Sequence, residues 1–220
     1  LHFVPIHALH IASDWGIFAG TQTGVYRSLT GSWEASGLAD SPIFAFAEHP
    51  NGDLFAGGPD GLFRSPDNGD TWESFVAGLE GTIQALAINA DGEVVAGTPE
   101  GIFRSPPDAP AFSAQNEGLT VTEGSGNSIF ARVATLNGQL FAGHLGGGVF
   151  RSIDGGDTWE AVNEGMTHTD IRALILATDG HLYAGSLGGG VFRSFEVSGS
   201  PTVVSEVQGS AVPGSFDLAQ

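Results

Sequence analysis

Cysteine and lysine are both absent from the 220-residue chain, and its seven basic residues are all arginines. The lack of cysteine excludes disulfides and thiolate metal sites. With 25 acidic residues the formal net charge is −18. Such a surface repels nucleic acid and anionic membranes, so we expect neither as a partner. The chain also lacks a run of about 18 apolar residues, the length of a membrane-spanning helix, and we therefore expect no membrane insertion.

Glycine and proline, in contrast, are abundant, with 34 and 11 residues. Both residues punctuate turns, so this frequency predicts many short strands rather than long helices. The hydrophobic fraction of 41% is sufficient for a packed core. The composition therefore indicates an all-β protein.

A five-residue motif ending in Arg-Ser occurs five times along the chain. Its copies are GVYRS (24–28), GLFRS (61–65), GIFRS (101–105) and GVFRS at both 148–152 and 190–194. Each copy follows a shorter motif ending in Ala-Gly, at 17–20, 54–57, 94–97, 140–143 and 182–185. Self-similarity with a period of about 40 residues is typical of propellers and solenoids.

Turn signals divide each repeat into strands. In four repeats an apolar stretch and then Asn-Gly or Asp-Gly precede the Ala-Gly motif, at 51–52, 91–92, 137–138 and 179–180. These dipeptides favour tight hairpins, in which we expect both turn residues to have positive φ. Each repeat is therefore predicted to contain four strands, which we name A to D in chain order.

A four-stranded sheet cannot bury both of its faces alone, and stacking such sheets around an axis yields a β-propeller. We predict an all-β, five-bladed propeller over residues 1–207, built of four-stranded antiparallel blades at 5–36, 42–77, 82–115, 128–163 and 170–207. Residues 208–220 have the composition of a linker. The alternative is a fragment of a larger propeller, because the last strand D, at 201–207, matches the repeat weakly. If the five blades close into a ring, we expect a monomer of 22.6 kDa.

Two hairpins that follow the Arg-Ser motif share the pattern Ser-x-Asp-x-Gly-x-Thr-Trp, as SPDNGDTW (65–72) and SIDGGDTW (152–159). This pattern resembles the Asp-box, or BNR repeat, of sialidase-like and sortilin-like propellers. The resemblance implies a structural turn: the aspartate accepts bonds from turn amides, the glycine is left-handed, and the tryptophan is buried between sheets. The structural residues that we expect are Ser65, Asp67, Gly69, Thr71, Trp72, Ser152, Asp154, Gly156, Thr158 and Trp159.

The arginines of the five-residue motif occupy one equivalent place in strand C of each blade. Equivalent places lie on a circle around the propeller axis, so these side chains are too far apart to converge on one small anion. We expect them to be structural, stacked on an Asp-box tryptophan or paired with acidic residues of the next blade. The five are Arg27, Arg64, Arg104, Arg151 and Arg193.

Propellers usually meet their ligands on the face that carries the D-to-A and B-to-C loops, and insertions on one face often carry binding. The longest D-to-A loop is at 120–127. The ligand-binding residues that we expect on this face are Gln22, Asp60, Glu100, His144, His168, Asp170 and Ser186. The two histidines, His144 and His168, and Asp170 would lie in adjacent blades, and imidazole and carboxylate groups suit Zn²⁺. We nevertheless interpret these three as exposed polar residues. We therefore expect no metal, no cofactor and no catalytic residues.

Five similar blades without an asymmetric cluster of catalytic groups favour a non-catalytic propeller that binds a glycan or a protein, or a module of a larger extracellular protein. The alternative is a carbohydrate-active enzyme, a glycoside hydrolase or lyase, that uses Asp or Glu residues on the loop face. The stretch SFDLAQ (215–220) resembles the residues that precede the C-terminal sorting module of type IX-secreted bacterial proteins. This resemblance implies a secreted or cell-surface bacterial protein.

Overall fold

The computed structural model describes residues 4–13, 16–75, 79, 81–106, 109, 111–119, 129–136, 138–177, 181–194 and 204–206, and of 129–136 and 204–206 it describes the backbone alone. These residues form 20 β-strands in five antiparallel sheets of four strands each. No helix among them has the length and hydropathy needed to cross a membrane. The insertion at 120–127 and the predicted linker at 208–220 lie outside the described residues.

The five sheets follow one another along the chain. The first contains β1 (Ile6–Ile11), β2 (Ile17–Thr21), β3 (Gly24–Ser28) and β4 (Glu34–Ala35). The second contains β5 (Ala45–Glu48), β6 (Leu54–Gly58), β7 (Gly61–Ser65) and β8 (Glu73–Ser74). The third contains β9 (Ala85–Ile88), β10 (Val94–Thr98), β11 (Gly101–Ser105) and β12 (Ser113–Ala114).

The fourth sheet contains β13 (Ile129–Leu136), β14 (Gln139–His144), β15 (Gly148–Ser152) and β16 (Glu160–Ala161). The fifth contains β17 (Ile171–Leu176), β18 (Leu182–Ser186), β19 (Gly190–Ser194) and β20 (Val204–Glu206). In each sheet the strands pair in chain order, from A to D. Consecutive antiparallel pairing puts the A-to-B and C-to-D turns at one end of a blade and the B-to-C and D-to-A loops at the other.

The A-to-B hairpins differ from the expected turn with two left-handed residues. In the second blade only Gly52 has positive φ, at 95°, and Asn51 does not. The amide of His49 bonds to the Asp53 carbonyl at 2.8 Å, and the Gly52 amide bonds to the His49 carbonyl at 2.8 Å. The connection is thus a three-residue loop, a type I turn followed by a left-handed glycine, which needs one residue with positive φ rather than two.

The apolar core lies between the blades. In the cluster between blades 1 and 2, Phe18 and Val25 pack on Leu54 and Ala56. Equivalent positions form the clusters between blades 2 and 3, 3 and 4, and 4 and 5. Consecutive blades along the chain therefore bury an apolar face of each against the other.

The A strands form the innermost layer and pack in the order β1, β5, β9, β13, β17. Residues from the A strands of blades 1, 2, 3 and 5 line one central cavity of about 250 Å³. The short D strands lie at the opposite edge of each sheet. The chain is therefore a five-bladed β-propeller, and the fold predicted from the repeats is confirmed.

Candidate functional site

The two Asp-box hairpins have the same internal hydrogen bonds. In the first, Asp67 accepts bonds from the Thr71 amide at 2.8 Å and the Thr71 hydroxyl at 2.6 Å. The Ser65 hydroxyl donates to the same carboxylate at 2.9 Å and accepts from the Gly69 amide at 2.8 Å. Both Asn68 and Gly69 are left-handed, with φ of 56° and 82°. The carboxylate and the serine hydroxyl thus satisfy the amides of a tight turn.

The second hairpin repeats this arrangement around Asp154. Its carboxylate accepts bonds from the Thr158 amide at 3.0 Å, the Thr158 hydroxyl at 2.5 Å and the Ser152 hydroxyl at 2.7 Å. Partial burial by itself raises the pKa of Asp154, but these hydrogen bonds outweigh it and lower the pKa to about 2. In the first hairpin, the bonds from Thr71 likewise lower the pKa of Asp67. Both aspartates are therefore ionised at neutral pH.

The tryptophans of the Asp-box hairpins bond to the preceding blade. Trp72 donates its indole N–H to the Ser36 carbonyl at 2.6 Å, and Trp159 donates to the Gln115 carbonyl at 3.1 Å. Trp159 is buried, with 4% of its surface exposed. Trp72 is only half-buried, which differs from the expectation for both residues. Each hairpin therefore ties its own blade to the one before it.

Two of the motif arginines bond to these hairpins from the preceding blade. Arg27 donates to the Asn68 carbonyl at 2.8 Å and to Asp70 at 2.7 Å. Arg104 donates to the Gly155 carbonyl at 3.1 Å and to Asp157 at 2.6 Å. The pKa of Arg27 is raised, and the hydrogen bond to Asp70 is the largest cause. We call this pairing of an arginine with the next blade's Asp-box turn the inter-blade clasp.

Arg64 and Arg151 pair within their own blades instead. Arg64 contacts Asp53 at 2.5 Å, and Arg151 contacts Glu160. The blade after Arg64 has lost the Asp-box pattern, since it reads SPPDAPAF at 105–112. Arg64 thus pairs within its own blade where the next blade lacks the Asp-box turn.

His144, a predicted ligand-binding residue, is fully buried. Its ring accepts a bond at Nδ1 from the Gly147 amide at 3.0 Å and packs against Phe150, with ring centroids 6.0 Å apart. The imidazole thus holds the B-to-C turn of blade 4 from the inside and does not face the solvent on the loop side.

His168 and Asp170 do come together. With Thr167, Thr169 and Leu187 they line a second cavity, of about 240 Å³. The His168 ring lies within hydrogen-bonding distance of the Thr167 hydroxyl, at 3.0 Å, and packs over Gly189. Among the described residues, no three metal-ligating side chains form a group that could hold an ion.

The remaining four predicted residues lie in four different B-to-C turns. The Oε1 atom of Gln22 accepts a bond from Nε2 of His7 at 3.2 Å. Ser186 donates to the Gly190 carbonyl at 3.2 Å within its own turn. Asp60 is exposed, and the Glu100 carboxylate lies against Gly81. Gln22, one of the seven predicted residues, is therefore hydrogen-bonded to a residue that lines the central cavity, His7.

The mouth of the central cavity carries a set of residues that the sequence interpretation missed. The residue after the isoleucine that opens each strand-A stretch lines the cavity and is His7 in blade 1, Phe44 in blade 2, Gln84 in blade 3 and Arg172 in blade 5. Each of them lies at the start of its A strand or directly before it, so all four lie at the end of the propeller that carries the D-to-A loops. We call these four residues the mouth ring.

Mouth-ring side chains differ from one blade to the next in their chemistry. The His7 ring meets Phe44 edge to face, with centroids 5.0 Å apart and planes at 86°. The Oε1 atom of Gln84 is buried and has no hydrogen-bond partner among the residues that the structure describes. A buried acceptor without a partner is costly, and in native proteins it often marks a place where a bound molecule or water donates.

A signal for the mouth ring was present in the repeat itself. The strand-A stretches read IHAL, IFAF, IQAL and IRAL at 6–9, 43–46, 83–86 and 171–174. The first and third positions stay Ile and Ala, and the second changes from imidazole to phenyl, amide and guanidinium. Where similar repeats surround an axis, a position whose residue type varies is not fixed by the packing that the repeats share. Such a position is a candidate for ligand binding.

Comparison with known proteins identifies the fold. No family model and no curated protein sequence matches the chain. The extracellular domain of the hybrid two-component system BT3049 from B. thetaiotaomicron matches with a TM-score of 0.75 and 15% identity, over 97% of this chain and 30% of that one. The corresponding domain of BT4673 from the same species matches with a TM-score of 0.61 and 16% identity, over 91% of this chain and 33% of that one.

A structure of YCF48 bound to D1 peptide also matches, with a TM-score of 0.64 and 18% identity, over 93% of this chain and 68% of that one. The chain thus spans about a third of the length of the two B. thetaiotaomicron domains. At these identities the likeness establishes the propeller fold and no more.

Proposed function

We propose that the chain is a non-catalytic binding propeller, or a binding module of a larger extracellular protein, whose mouth ring holds a neutral segment of a glycan or a peptide. The observation that carries this proposal is the Oε1 atom of Gln84 at the cavity mouth, which is buried and finds no donor in the described part of the chain. A sugar hydroxyl or a peptide N–H would donate to it, while Phe44 offers a flat apolar surface beside it.

Three neighbours by fold support a binding role. The B. thetaiotaomicron structures are extracellular domains of two-component systems, and one YCF48 structure holds a D1 peptide. A propeller with the same architecture and a polar mouth suits ligand recognition outside the cell. We propose, on the same grounds and from the end of the sequence, a secreted or cell-surface bacterial protein.

We also infer that the repeats are divergent members of the Asp-box, or BNR, class. Both complete copies place the Ser, Asp, Gly and Thr of the pattern in one hydrogen-bonded turn, with the Trp bonded to the adjacent blade. In this proposal the Asp-box residues are scaffold, and binding belongs to the mouth ring and to the neighbouring loop residues, including Gln22.

The alternative function is a glycoside hydrolase or lyase. Most glycoside hydrolases use two carboxylates that flank the scissile bond. The polar groups that the described mouth presents are an imidazole, an amide and a guanidinium, which suit holding a ligand better than cleaving a glycosidic bond. A screen for turnover separates the two functions.

The test is a paired screen of the 220-residue chain against an oligosaccharide array and a peptide array, with product analysis of every ligand that binds. We expect binding without turnover. Gln84→Leu removes the unpartnered acceptor at similar volume and should weaken the binding of the best ligand about 3- to 10-fold, the value of one hydrogen bond.

Gln139→Leu is the matched control. It makes the same chemical change in a half-buried glutamine that begins β14, at the opposite end of its blade. Equal loss of affinity in both variants would contradict a site at the mouth ring, and hydrolysis of any oligosaccharide would replace the binding function by the enzymatic one.

A further inference from the structure

Every blade has two unlike apolar faces. Positions in strand B are counted from the first residue of the motif that ends in Ala-Gly. The second residues of strands B and C point to the following blade, as Phe141 and Val149 of blade 4 do toward blade 5. The first and third residues of strand B point to the preceding blade, as Leu182 and Ala184 do toward blade 4. We call these the forward face and the backward face.

The forward face of blade 5 is open. Val191 is 48% exposed there. Its equivalents in the other four blades are at most 1% exposed. They are Val25, Leu62, Ile102 and Val149. Tyr183, at the second position of strand B in blade 5, is half-buried, whereas the equivalent Phe18 and Phe55 are fully buried.

The backward face of blade 1 is exposed at two of its positions, although Ala19, the third residue of strand B, is fully buried. Ile17 is 38% exposed, and its equivalents in the other blades are at most 6% exposed. They are Leu54, Val94, Leu140 and Leu182. Ile6, the first residue of strand A, is 48% exposed, whereas the equivalent Ile43, Ile83 and Ile171 are completely buried.

Strand-B glycines show the same difference. A Cβ added to Gly20 would lie 2.6 Å from the carbonyl oxygen of Ile43 in the next blade, and one added to Gly57 would collide with Ile83. At Gly185 the nearest described atom is the Ala173 Cβ of the same blade, at 3.6 Å. Blade 1 therefore does not lie on Gly185 as blade 2 lies on Gly20.

From these contrasts we propose that the seam between blades 5 and 1 is a docking surface for a further four-stranded blade of the same repeat type. The chemistry of the occupant follows from the four interfaces already present. Its backward face must carry an aliphatic residue and an alanine in strand B to cover Val191, as Leu182 and Ala184 cover Val149. Its forward face must carry large apolar residues in strands B and C to cover Ile17.

Arg193 supports the same occupant. It holds the place in blade 5 that Arg27 and Arg104 hold in blades 1 and 3, where the guanidinium bonds to the Asp-box turn of the following blade. A docked blade with an Asp-box would offer Arg193 the same acceptors. The interface with the docked blade would thus contain both an apolar cluster and an inter-blade clasp, like the interface between blades 1 and 2.

The first experiment tests whether the seam is open in the 220-residue chain. Gly57→Ala should lower Tm by about 4–10 °C through overpacking against Ile83, while Gly185→Ala should leave Tm within about 2 °C of the parent chain. If Gly57→Ala does not fold, Val149→Thr and Val191→Thr form a second pair, in which only the buried Val149 should be sensitive. Equal sensitivity in either pair would mean that blade 1 closes directly on blade 5, which overturns the proposal.

The second experiment tests the occupant. A chain with a second copy of residues 128–169 placed after residue 207 supplies a blade with a complete Asp-box. Its Tm should rise, and Gly185→Ala should now lower it as Gly57→Ala does. An unchanged Tm with Gly185→Ala still neutral would overturn the proposal. So would light scattering that shows head-to-tail oligomers of the 220-residue chain, because the occupant would then be a second copy.

Discussion

Trp159 provides the sharpest test of the idea that the Asp-box hairpins hold neighbouring blades together. It is 4% exposed, belongs to the apolar cluster between blades 3 and 4, and bonds to the Gln115 carbonyl through its indole N–H and to the Glu117 carbonyl through its backbone amide. Trp159→Ala removes the ring and leaves a cavity between two blades, which costs about 3–5 kcal/mol. For a chain of this length that corresponds to a fall in Tm of about 6–20 °C.

Two further variants separate the causes. Trp159→Phe keeps most of the apolar volume and loses the indole bond, so we expect a loss of only about 1–2 kcal/mol. Trp72→Ala makes the same change at a half-buried position and should cost less than Trp159→Ala, about 1–3 kcal/mol. Circular dichroism melts measure all three without relying on tryptophan fluorescence. A Trp159→Ala chain that melts with the parent, or a Trp72→Ala chain that is the less stable of the two, would refute the reasoning.

Three other outcomes follow from the same contacts. A double-mutant cycle on Arg104 and Asp157 should give a coupling energy of about 0.5–1 kcal/mol that decreases in 1 M salt, because the pair is partly exposed; a coupling of zero at low salt would exclude an energetic role for the clasp. The pKa of Asp154 is depressed to about 2 from an ordinary 3.8, so its stabilising bonds are fully present above about pH 4 and are lost as the pH falls toward 2. The Tm difference between the parent and Asp154→Asn should therefore be constant at neutral pH and shrink in acid, and a difference that grows in acid would contradict the assignment. His144→Ala should lower Tm, because the buried ring accepts the Gly147 amide, and an unchanged Tm with reduced ligand binding would return His144 to the loop-face site.

Local patterns in the sequence predicted most of the fold. The five Arg-Ser motifs and the Ala-Gly motifs correspond to strands C and B, and the Ser-x-Asp-x-Gly-x-Thr-Trp stretches form the expected turns. These features depend on residues within about ten positions of one another, such as Ser65 and Asp67. Hydrogen bonds inside a turn are encoded by spacing, and spacing is visible in a single sequence.

Features that depend on the neighbouring blade were harder to predict. The arginine motif is the same in all repeats, but Arg27 bonds to the next blade and Arg64 pairs with Asp53 in its own. His144 is buried because its turn folds over the ring, and nothing in the sequence around it distinguishes that state from exposure. The mouth ring is likewise assembled from residues about 40 positions apart, and its signal is variation inside a repeat rather than a motif.

Our central proposal is that the residues shared by the repeats, such as those of the Asp-box, stabilise the fold, whereas the mouth ring binds the ligand. One comparison tests it most directly: Tm and Kd measured side by side for Asp154→Ala and Gln84→Leu, using the best ligand from the oligosaccharide and peptide arrays. The account predicts a crossed result. Asp154→Ala should lose about 1 kcal/mol of stability, since water replaces part of its exposed bonds, and its Kd should be unchanged. Gln84→Leu should bind the ligand about 3- to 10-fold more weakly, and its Tm should not fall. The reverse pattern, with lost binding in Asp154→Ala at normal stability, would contradict the claim and place the binding site at the Asp-box hairpins.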